Sequence, residues 1–202
     1  MTFLPARSSI TRRVASAVAV IALAVALGAC SSSSKPGAAA TDCAARSASA
    51  KAVATLVQKG IQAQIAGNDT EAEKNFKKVL CSDTNNKYAH YNLGLIYQTR
   101  GNNSDGEDEY RKALAVDARF GPALYNLAIL RTLAKDIDGA IALYRRAIVS
   151  NPKDSNAHFN LGLLLREEGQ TKAGNTEVQT AVNIDATLRS KAIAQGVPLT
   201  GS

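Results

Sequence analysis

The chain contains no tryptophan, only two histidines and three cysteines, and its aromatic residues make up 5% of the total. With so few imidazole and thiol groups, a zinc centre of the usual four-ligand kind is hard to assemble. The sequence also lacks a Cys–His pair, a Ser–His–Asp set and an HExxH motif, which are the arrangements that activate a nucleophile or a metal-bound water. We therefore expect no metal, no cofactor and no enzymatic activity.

Excess charge is also modest. The formal net charge of the whole chain is +7, but residues 1–29 contribute three arginines (Arg7, Arg12 and Arg13) and no acid. Without these three, the 24 bases fall to 21 against 17 acids, a formal +4, which is poor support for nucleic acid binding. Hydrophobic residues make up 46% of the chain, close to the globular average, so the chain can build a core.

A short apolar run follows the three arginines. Val14–Leu27 is an uninterrupted run of small apolar residues, and as a helix it would reach roughly 21 Å, short of the ~30 Å hydrocarbon core of a bilayer. We interpret residues 1–29 as an export signal rather than as a spanning helix. Arg12-Arg13 also leaves twin-arginine export open, although Val14-Ala15 lacks the bulky residues expected after such a pair.

The run ends in Leu27-Gly28-Ala29-Cys30, an aliphatic residue and two small residues before a cysteine, which resembles the lipobox of bacterial lipoproteins. The resemblance implies cleavage before Cys30, lipidation of its thiol, and anchoring to the cell membrane facing outside the cytoplasm. An ordinary cleaved signal peptide and an uncleaved anchor are the alternatives. Residues 30–41 are rich in Ser, Gly, Pro and Ala and are expected to form a flexible tether.

The rest of the chain repeats itself with a 34-residue period and without an insertion. A small residue recurs at four positions, a second small residue follows each of these at a constant separation, and a bulky residue lies one helical turn further on. A turn position, mostly glycine, follows the same period. The four sets are Gly60, Gly94, Ala128, Gly162; Ala72, Gly106, Ala140, Gly174; Phe76, Tyr110, Tyr144, Val178; and Gly67, Gly101, Lys135, Gly169.

This pattern resembles the tetratricopeptide repeat over about residues 53–188. The resemblance implies an all-α, right-handed solenoid of four helix-turn-helix units within residues 42–186, followed by a capping helix and tail in residues 187–202. Asp42 is a plausible N-cap for an extended first helix. The position that usually holds tryptophan carries Leu56, His90, Leu124 and His158 instead, and the usual closing proline survives only as Pro152. Because the two histidines share one repeat position, they suit a packing role better than a ligand pair.

In this family the first helix of each unit lines a concave groove. The resemblance therefore places nine residues on it: Tyr91, Asn92, Leu95, Tyr125, Asn126, Ile129, Phe159, Asn160 and Leu163. The three asparagines recur once per repeat, and a side-chain amide can both donate to and accept from a peptide backbone. The aromatic residue before each asparagine offers apolar contact area, unless these rings simply pack between helices.

Two cysteines remain once Cys30 is assigned to the lipid. Cys43 and Cys81 would favour a disulfide outside the cytoplasm, where closing the loop would contribute roughly 3–4 kcal/mol; two separate thiols are the alternative.

Together these features predict a membrane-anchored scaffold or adaptor of the cell envelope that binds segments of other envelope or exported proteins in its groove. The alternative is a binder of envelope glycan or anionic polymer, served by the outward pairs Lys77-Lys78 and Arg145-Arg146.

Overall fold

A computed structural model of the chain describes residues 49–200, and every regular element within them is helical. Four pairs of antiparallel helices form four units, each with a first and a second helix. The helices are α1 (Ala50–Ile65), α2 (Asp69–Ser82), α3 (Lys87–Thr99), α4 (Asn103–Val116), α5 (Gly121–Leu133), α6 (Ile137–Ser150), α7 (Ser155–Glu167) and α8 (Thr171–Ile184), followed by a 3₁₀ turn (Ala186–Leu188) and α9 (Arg189–Ala194).

The helix bounds reproduce the period of the sequence. The helices α3, α5 and α7 begin at residues 87, 121 and 155, and α4, α6 and α8 begin at residues 103, 137 and 171. Only α1 starts out of register, at Ala50, where the hydroxyl of Ser49 accepts a hydrogen bond from the N–H of Ala52. The expected N-cap at Asp42 is therefore wrong, because Ser49 supplies the cap; Asp42 itself lies outside the described residues.

All four turns inside the units have one conformation. The turn residue takes a left-handed backbone, with φ of 73°, 80°, 64° and 76° at Gly67, Gly101, Lys135 and Gly169. The N–H of the next residue then bonds back to a carbonyl five positions earlier, as from Asn102 to Tyr97 at 2.8 Å. These are the bonds of a Schellman motif, which satisfies carbonyls that the helix end would leave unpaired.

The loops that join one unit to the next are also alike. In each loop a side-chain oxygen accepts a hydrogen bond from the N–H two positions on, which fixes a tight turn before the next first helix. The accepting residues are Asp83, Asp117, Asn151 and Asp185. Three positions after each of them comes the residue that precedes the next helix, and this position is held by Asn86, Phe120, Asp154 and Leu188.

Packing within a unit depends on the small and bulky positions. A Cβ placed on Gly94 would lie 2.5 Å from the ring of Tyr110, and one placed on Gly174 would lie 2.5 Å from the carbonyl oxygen of Gly162. The two helices of these units therefore approach too closely for a side chain at the contact. The bulky side chains Phe76, Tyr110, Tyr144 and Val178 are all buried, as the repeat pattern predicted.

The C-terminal segment is the beginning of a fifth first helix. Arg189, the first residue of α9, stands one repeat period after Ser155, and Gly196 stands one period after Gly162. At Gly196 the backbone turns left-handed (φ 65°) and the helix stops after two turns. Ala192 and Val197 of this segment are buried against α8 and cap the last unit. None of the helices within residues 49–200 is long and apolar enough to cross a membrane.

Candidate functional site: the face of the first helices

Hydrogen bonds join the first helices of successive units along one face. Asn126 Nδ2 donates to the hydroxyl of Tyr91 at 3.3 Å, and Asn160 Nδ2 donates to the hydroxyl of Tyr125 at 3.2 Å. We call these two bonds the Tyr–Asn ladder. Tyr91, Tyr125 and Asn126 also line an open cleft of about 310 Å³. The structure thus brings four of the predicted groove residues together on one surface, which we call the groove face.

The asparagines are partly occupied by the fold itself. Besides the ladder, Nδ2 of Asn92 donates to the Tyr88 carbonyl at 2.7 Å, and Nδ2 of Asn126 donates to the Pro122 carbonyl at 2.9 Å, each one helical turn back. No hydrogen bond to the Oδ1 of either residue is found within residues 49–200. The sequence predicted that each amide would offer a donor and an acceptor to a partner backbone. Because the Nδ2 groups donate within the fold, the Oδ1 acceptors are left available to a partner.

Both ladder tyrosines remain neutral hydroxyls near pH 7. Burial raises the pKa of Tyr91, and burial also raises the pKa of Tyr125, with a further contribution from the nearby carboxylate of Asp154. Within α6, burial raises the pKa of Tyr144 to about 12, and its hydroxyl lies 3.4 Å from Asn160 Nδ2. A hydroxyl that keeps its proton can accept the asparagine N–H and still donate to a ligand.

Phe159 does not belong to the groove face, so this part of the prediction is wrong. Its side chain is 1% exposed and packs with Val178, Ala192 and Val197 in the C-terminal core, while the Lys191 ammonium lies 4.8 Å from its ring centroid. The physical reason lies in two neighbours. The bulky position beside Phe159 holds the smaller Val178, whereas Tyr91 and Tyr125 meet the rings of Tyr110 and Tyr144. Val197, after the end of α9, joins the same cluster.

The three predicted aliphatic residues form a floor. All three are half-buried, and each packs against a cluster of buried side chains beneath it. They are Leu95, Ile129 and Leu163. Their remaining exposure gives the groove face an apolar strip beside the amides.

Five equivalent positions on the first helix of each unit line the groove face. In the first three units, none of these positions carries a charged side chain. These positions hold Ala54, Val57, Gln58, Ile61, Gln64; Tyr88, Tyr91, Asn92, Leu95, Gln98; and Pro122, Tyr125, Asn126, Ile129, Thr132. In the fourth unit Arg166 is the charged residue, and its guanidinium donates to Asn175 and, at 3.0 Å, to the Gly196 carbonyl. Apolar contact and amide hydrogen bonds are therefore what the centre of this face can offer a ligand.

Each histidine joins the two helices of its own unit. His90 Nδ1 lies 2.6 Å from Glu109 Oε2 and His158 Nδ1 lies 2.7 Å from Glu177 Oε2, while Nε2 of each ring faces the carbonyl of the residue six positions earlier. The sequence analysis did not identify these glutamates as partners of the histidines. The sequence does contain a signal for them, because the same spacing separates each histidine from its glutamate in the two units.

The cysteine predictions fall largely outside the structure. Cys81 lies near the end of α2 and is a disulfide cysteine. Its expected partner Cys43 lies outside the described residues, as does Cys30, so the Cys43–Cys81 pairing and the lipidation of Cys30 stay predictions. No group of His, Cys, Asp or Glu side chains in the described part of the chain could hold a metal ion.

Comparison with known proteins identifies the repeat. Two tetratricopeptide-repeat family models match the chain, one over residues 91–155 and the other over residues 143–174. No curated protein matches it.

Three solved structures illustrate the likeness. PilF of Pseudomonas aeruginosa is 25% identical, with a TM-score of 0.64, and the match covers 70% of this chain and 65% of that one. MamA is 22% identical, with a TM-score of 0.60, and the match covers 68% and 81%. YrrB, described as a tetratricopeptide-repeat protein with an unusual peptide-binding site, is 21% identical, with a TM-score of 0.59, and the match covers 70% and 77%.

The chain thus contains tetratricopeptide repeats within residues 91–174, and residues 49–200 fold as an all-α helical repeat solenoid. Domains of this class bind other proteins or peptides and generally act as scaffolds rather than as catalysts.

Proposed function

We propose that this protein is a lipid-anchored scaffold or adaptor of the cell envelope that binds segments of partner proteins along its groove face. The observation that carries the proposal is the groove face itself. Amide oxygens and an aliphatic strip run across the first three units without a charge, and tyrosine hydroxyls of the second and third units lie beside them. Such a surface can contact the side chains of a segment and accept its backbone N–H groups. The peptide-binding site of YrrB supports a segment as the ligand.

The anchoring part of the proposal rests on Leu27-Gly28-Ala29-Cys30 at the end of a short apolar run. Two acyl chains give stable membrane attachment where one is marginal. The Cys30→Ala variant should lose acyl labelling and leave the lipid-modified membrane fraction. Acyl labelling equal to that of the parent chain would contradict the assignment of Cys30.

The binding part can be tested with a display library of random 16-residue peptides, selected on the full-length chain. The triple variant Asn92→Ala, Asn126→Ala, Asn160→Ala should bind the selected peptides at least tenfold more weakly. Each lost hydrogen bond costs roughly 0.5–1.5 kcal/mol, which is about 2- to 12-fold in affinity.

A matched control separates binding from folding. The double variant Tyr91→Phe, Tyr125→Phe breaks the same ladder bonds but keeps the amides, so it should lose less peptide affinity than the triple variant. Circular dichroism and thermal melting should show both variants folded. If the triple variant folds and binds as well as the parent, the groove face is not the binding site.

The alternative, an anionic polymer on the outward basic residues, has less support. Lys77 lies 2.6 Å from Glu73, and Arg146 donates to the Ala118 carbonyl at 3.0 Å. These contacts place half of the four basic residues in bonds within the fold.

A further inference from the structure

Two open clefts lie at equivalent places along the N-terminal edge of the groove face. The first, about 480 Å³, is lined by Val53, Ala54, Val57, Asp83, Asn86 and Tyr88. The second, about 310 Å³, is lined by Gly121, Pro122, Tyr125, Asn151, Asp154 and Asn156. Each residue of the second set stands two repeat periods after its counterpart in the first. We call them the unit 1 cleft and the unit 3 cleft.

Both clefts combine an apolar wall with a single carboxylate. The wall comes from the first helix of one unit, and the polar rim comes from the loop before the next unit. In the unit 1 cleft the rim holds Asp83 and Asn86, and in the unit 3 cleft it holds Asn151 and Asp154. The order of acid and amide is reversed, yet each cleft keeps one negative charge.

The equivalent place between them is filled by the chain itself. Phe120 stands where the clefts have Asn86 and Asp154, and its ring packs edge-on against Tyr88 and Tyr91, with centroid distances of 5.6 and 5.4 Å.

The Lys87 ammonium completes this filled position. It lies 2.6 Å from Asp117 Oδ2, and 5.1 and 5.3 Å from the ring centroids of Phe120 and Tyr88. The repeat therefore accommodates, at this position, a cation that is bound to the loop carboxylate and flanked by aromatic rings.

Among residues 49–200, no basic side chain lines either open cleft. The position of Lys87 is held by Val53 in unit 1 and by Gly121 in unit 3, neither of which carries charge. Asp154 Oδ1 accepts the N–H of Ala157 at 3.0 Å, and no hydrogen bond or ion pair to its Oδ2 is found within residues 49–200. The Tyr125 ring stands in the wall of the same cleft.

We infer that the partner segment carries two lysine or arginine side chains, one entering each cleft, with an uncharged stretch lying between them. This inference rests on the proposed function, and it specifies the chemistry of the ligand. In each cleft the aliphatic stem would lie on the apolar wall while the cationic head meets the carboxylate of Asp83 or Asp154. In the unit 3 cleft the ring of Tyr125 adds a favourable face for the cation. Between the clefts the Lys87 ammonium is paired with Asp117. The groove face beside this pair is uncharged, so it suits apolar and amide groups.

The same peptide selection tests the inference. The 16-residue peptides reach up to about 55 Å when extended. This exceeds the roughly 40 Å that four helix-to-helix steps of about 10 Å place between units 1 and 3. Selection on the parent chain should enrich peptides with two basic residues separated by an uncharged stretch. Selection on the double variant Asp83→Asn, Asp154→Asn should not enrich them.

These variants are designed to preserve the fold. Asn86 already caps α3 at the position equivalent to Asp154, and Asn151 already forms the loop turn at the position equivalent to Asp83. Asp138→Asn, at the exposed start of α6 outside both clefts, removes one charge and serves as the control.

Affinities of one selected peptide then locate the contact. Asp154→Asn should weaken binding roughly 3- to 20-fold, a range that allows for the partial exposure of the carboxylate. Asp138→Asn should leave binding unchanged. Replacing the responsible lysine in the peptide by norleucine, which keeps the stem and loses the charge, should make the peptide insensitive to Asp154→Asn.

The outcomes distinguish the inference from the proposed function. Selected peptides without basic residues, bound equally by parent and double variant but lost in the triple asparagine variant, would overturn the inference and leave the groove function intact. A parent chain that selects no peptide would overturn both.

Discussion

Each histidine ring places both of its nitrogens against an acceptor. His90 Nδ1 faces Glu109 and Nε2 faces the Thr84 carbonyl at 3.0 Å, and a neutral imidazole has only one N–H to give. The charged form of His90 is therefore the one that satisfies both of its contacts. The pKa of His90 is raised, chiefly by the hydrogen bond to Glu109, although burial and the neighbouring Lys112 oppose the rise.

The pKa of Glu109, the partner of His90, shifts in the opposite direction. Burial works to raise the pKa of Glu109, but the hydrogen bonds from His90 and Lys112 outweigh it, so the pKa is lowered. In unit 3 the same two positions hold Leu124 and Leu143, both of which pack in apolar clusters. These two positions thus accept an ion pair or an apolar pair. In unit 1 they hold Leu56 and the buried Asn75, whose amide donates to Glu71 on its own helix.

His90 should make the stability of the fold depend on pH above neutrality. A raised pKa in the folded state means that the contribution is complete below the unfolded value of about 6.5 and is lost as pH rises through the folded value. The melting temperature of the parent should therefore fall between about pH 6.5 and the raised pKa. The double variant His90→Leu, Glu109→Leu copies unit 3 and should show a flatter profile in thermal melts. An equally steep decline in that variant would assign the effect to other groups.

At the scale of elements, the turn between α5 and α6 differs from its three equivalents by one residue. Lys135 takes φ of 64° where the other turns have glycine, and the bond from the Asp136 N–H to the Arg131 carbonyl is kept at 2.9 Å. The backbone bonds of the turn therefore form regardless of the side chain. For a residue with a Cβ, the left-handed conformation costs roughly 1–2 kcal/mol.

Lys135→Gly should stabilise the fold by about 0.5–1 kcal/mol, since part of the relief is offset by the greater freedom of glycine in the unfolded chain. Urea unfolding followed by circular dichroism would measure the gain. The reverse change in an equivalent turn, Gly101→Lys, should destabilise the fold by a similar amount. A Lys135→Gly variant less stable than the parent would show that the lysine side chain contributes more than its strain costs.

The C-terminal helix shows how an element acquires its role from its place in the stack. Arg189–Ala194 follows the register of a first helix, but Gly196 ends it where a continuing helix would pack. The short helix and Val197 after it pack with Phe159 and Val178, and the helix is too short to pair with a second helix. It acts as the cap that a repeat stack needs at its end.

At the scale of the whole molecule, the Tyr–Asn ladder links three units. Each tyrosine hydroxyl accepts from an asparagine in the next unit, so these bonds stabilise the stacking of units rather than any single one. Repeat proteins derive their stability from such interfaces between neighbours.

Tyr91→Phe and Tyr125→Phe should each lower the free energy of unfolding by about 0.5–1.5 kcal/mol. The two losses should add in the double variant, because the two bonds have no partner in common. Tyr88→Phe is the control, since Tyr88 is half exposed and no hydrogen bond to its hydroxyl is found within residues 49–200. Urea unfolding should show one shifted transition; unchanged stability in the double variant would mean that the ladder contributes nothing to stacking.

Much of this architecture follows from the sequence alone. The two small positions, the bulky position and the turn position of the repeat predicted the number of units, the helix order and the residues at the tightest contacts. Spacing suffices for these features because they depend on which side of a helix a residue occupies, and that is fixed by local geometry. The prediction failed at Asp42 because Ser47 and Ser49 also have side chains that can cap a helix, and the structure uses Ser49.

What covers each face was decided only by the tertiary structure. Tyr91, Tyr125 and Phe159 are equivalent in the sequence, yet the first two border an open cleft and the third is buried in the C-terminal core. Lys87 and Phe120 likewise fill one inter-unit position, while its equivalents on either side stay open. A period in the sequence assigns a residue to a face. Whether that face meets solvent, a helix or a neighbouring side chain depends on distant segments that reach it only after the chain has folded.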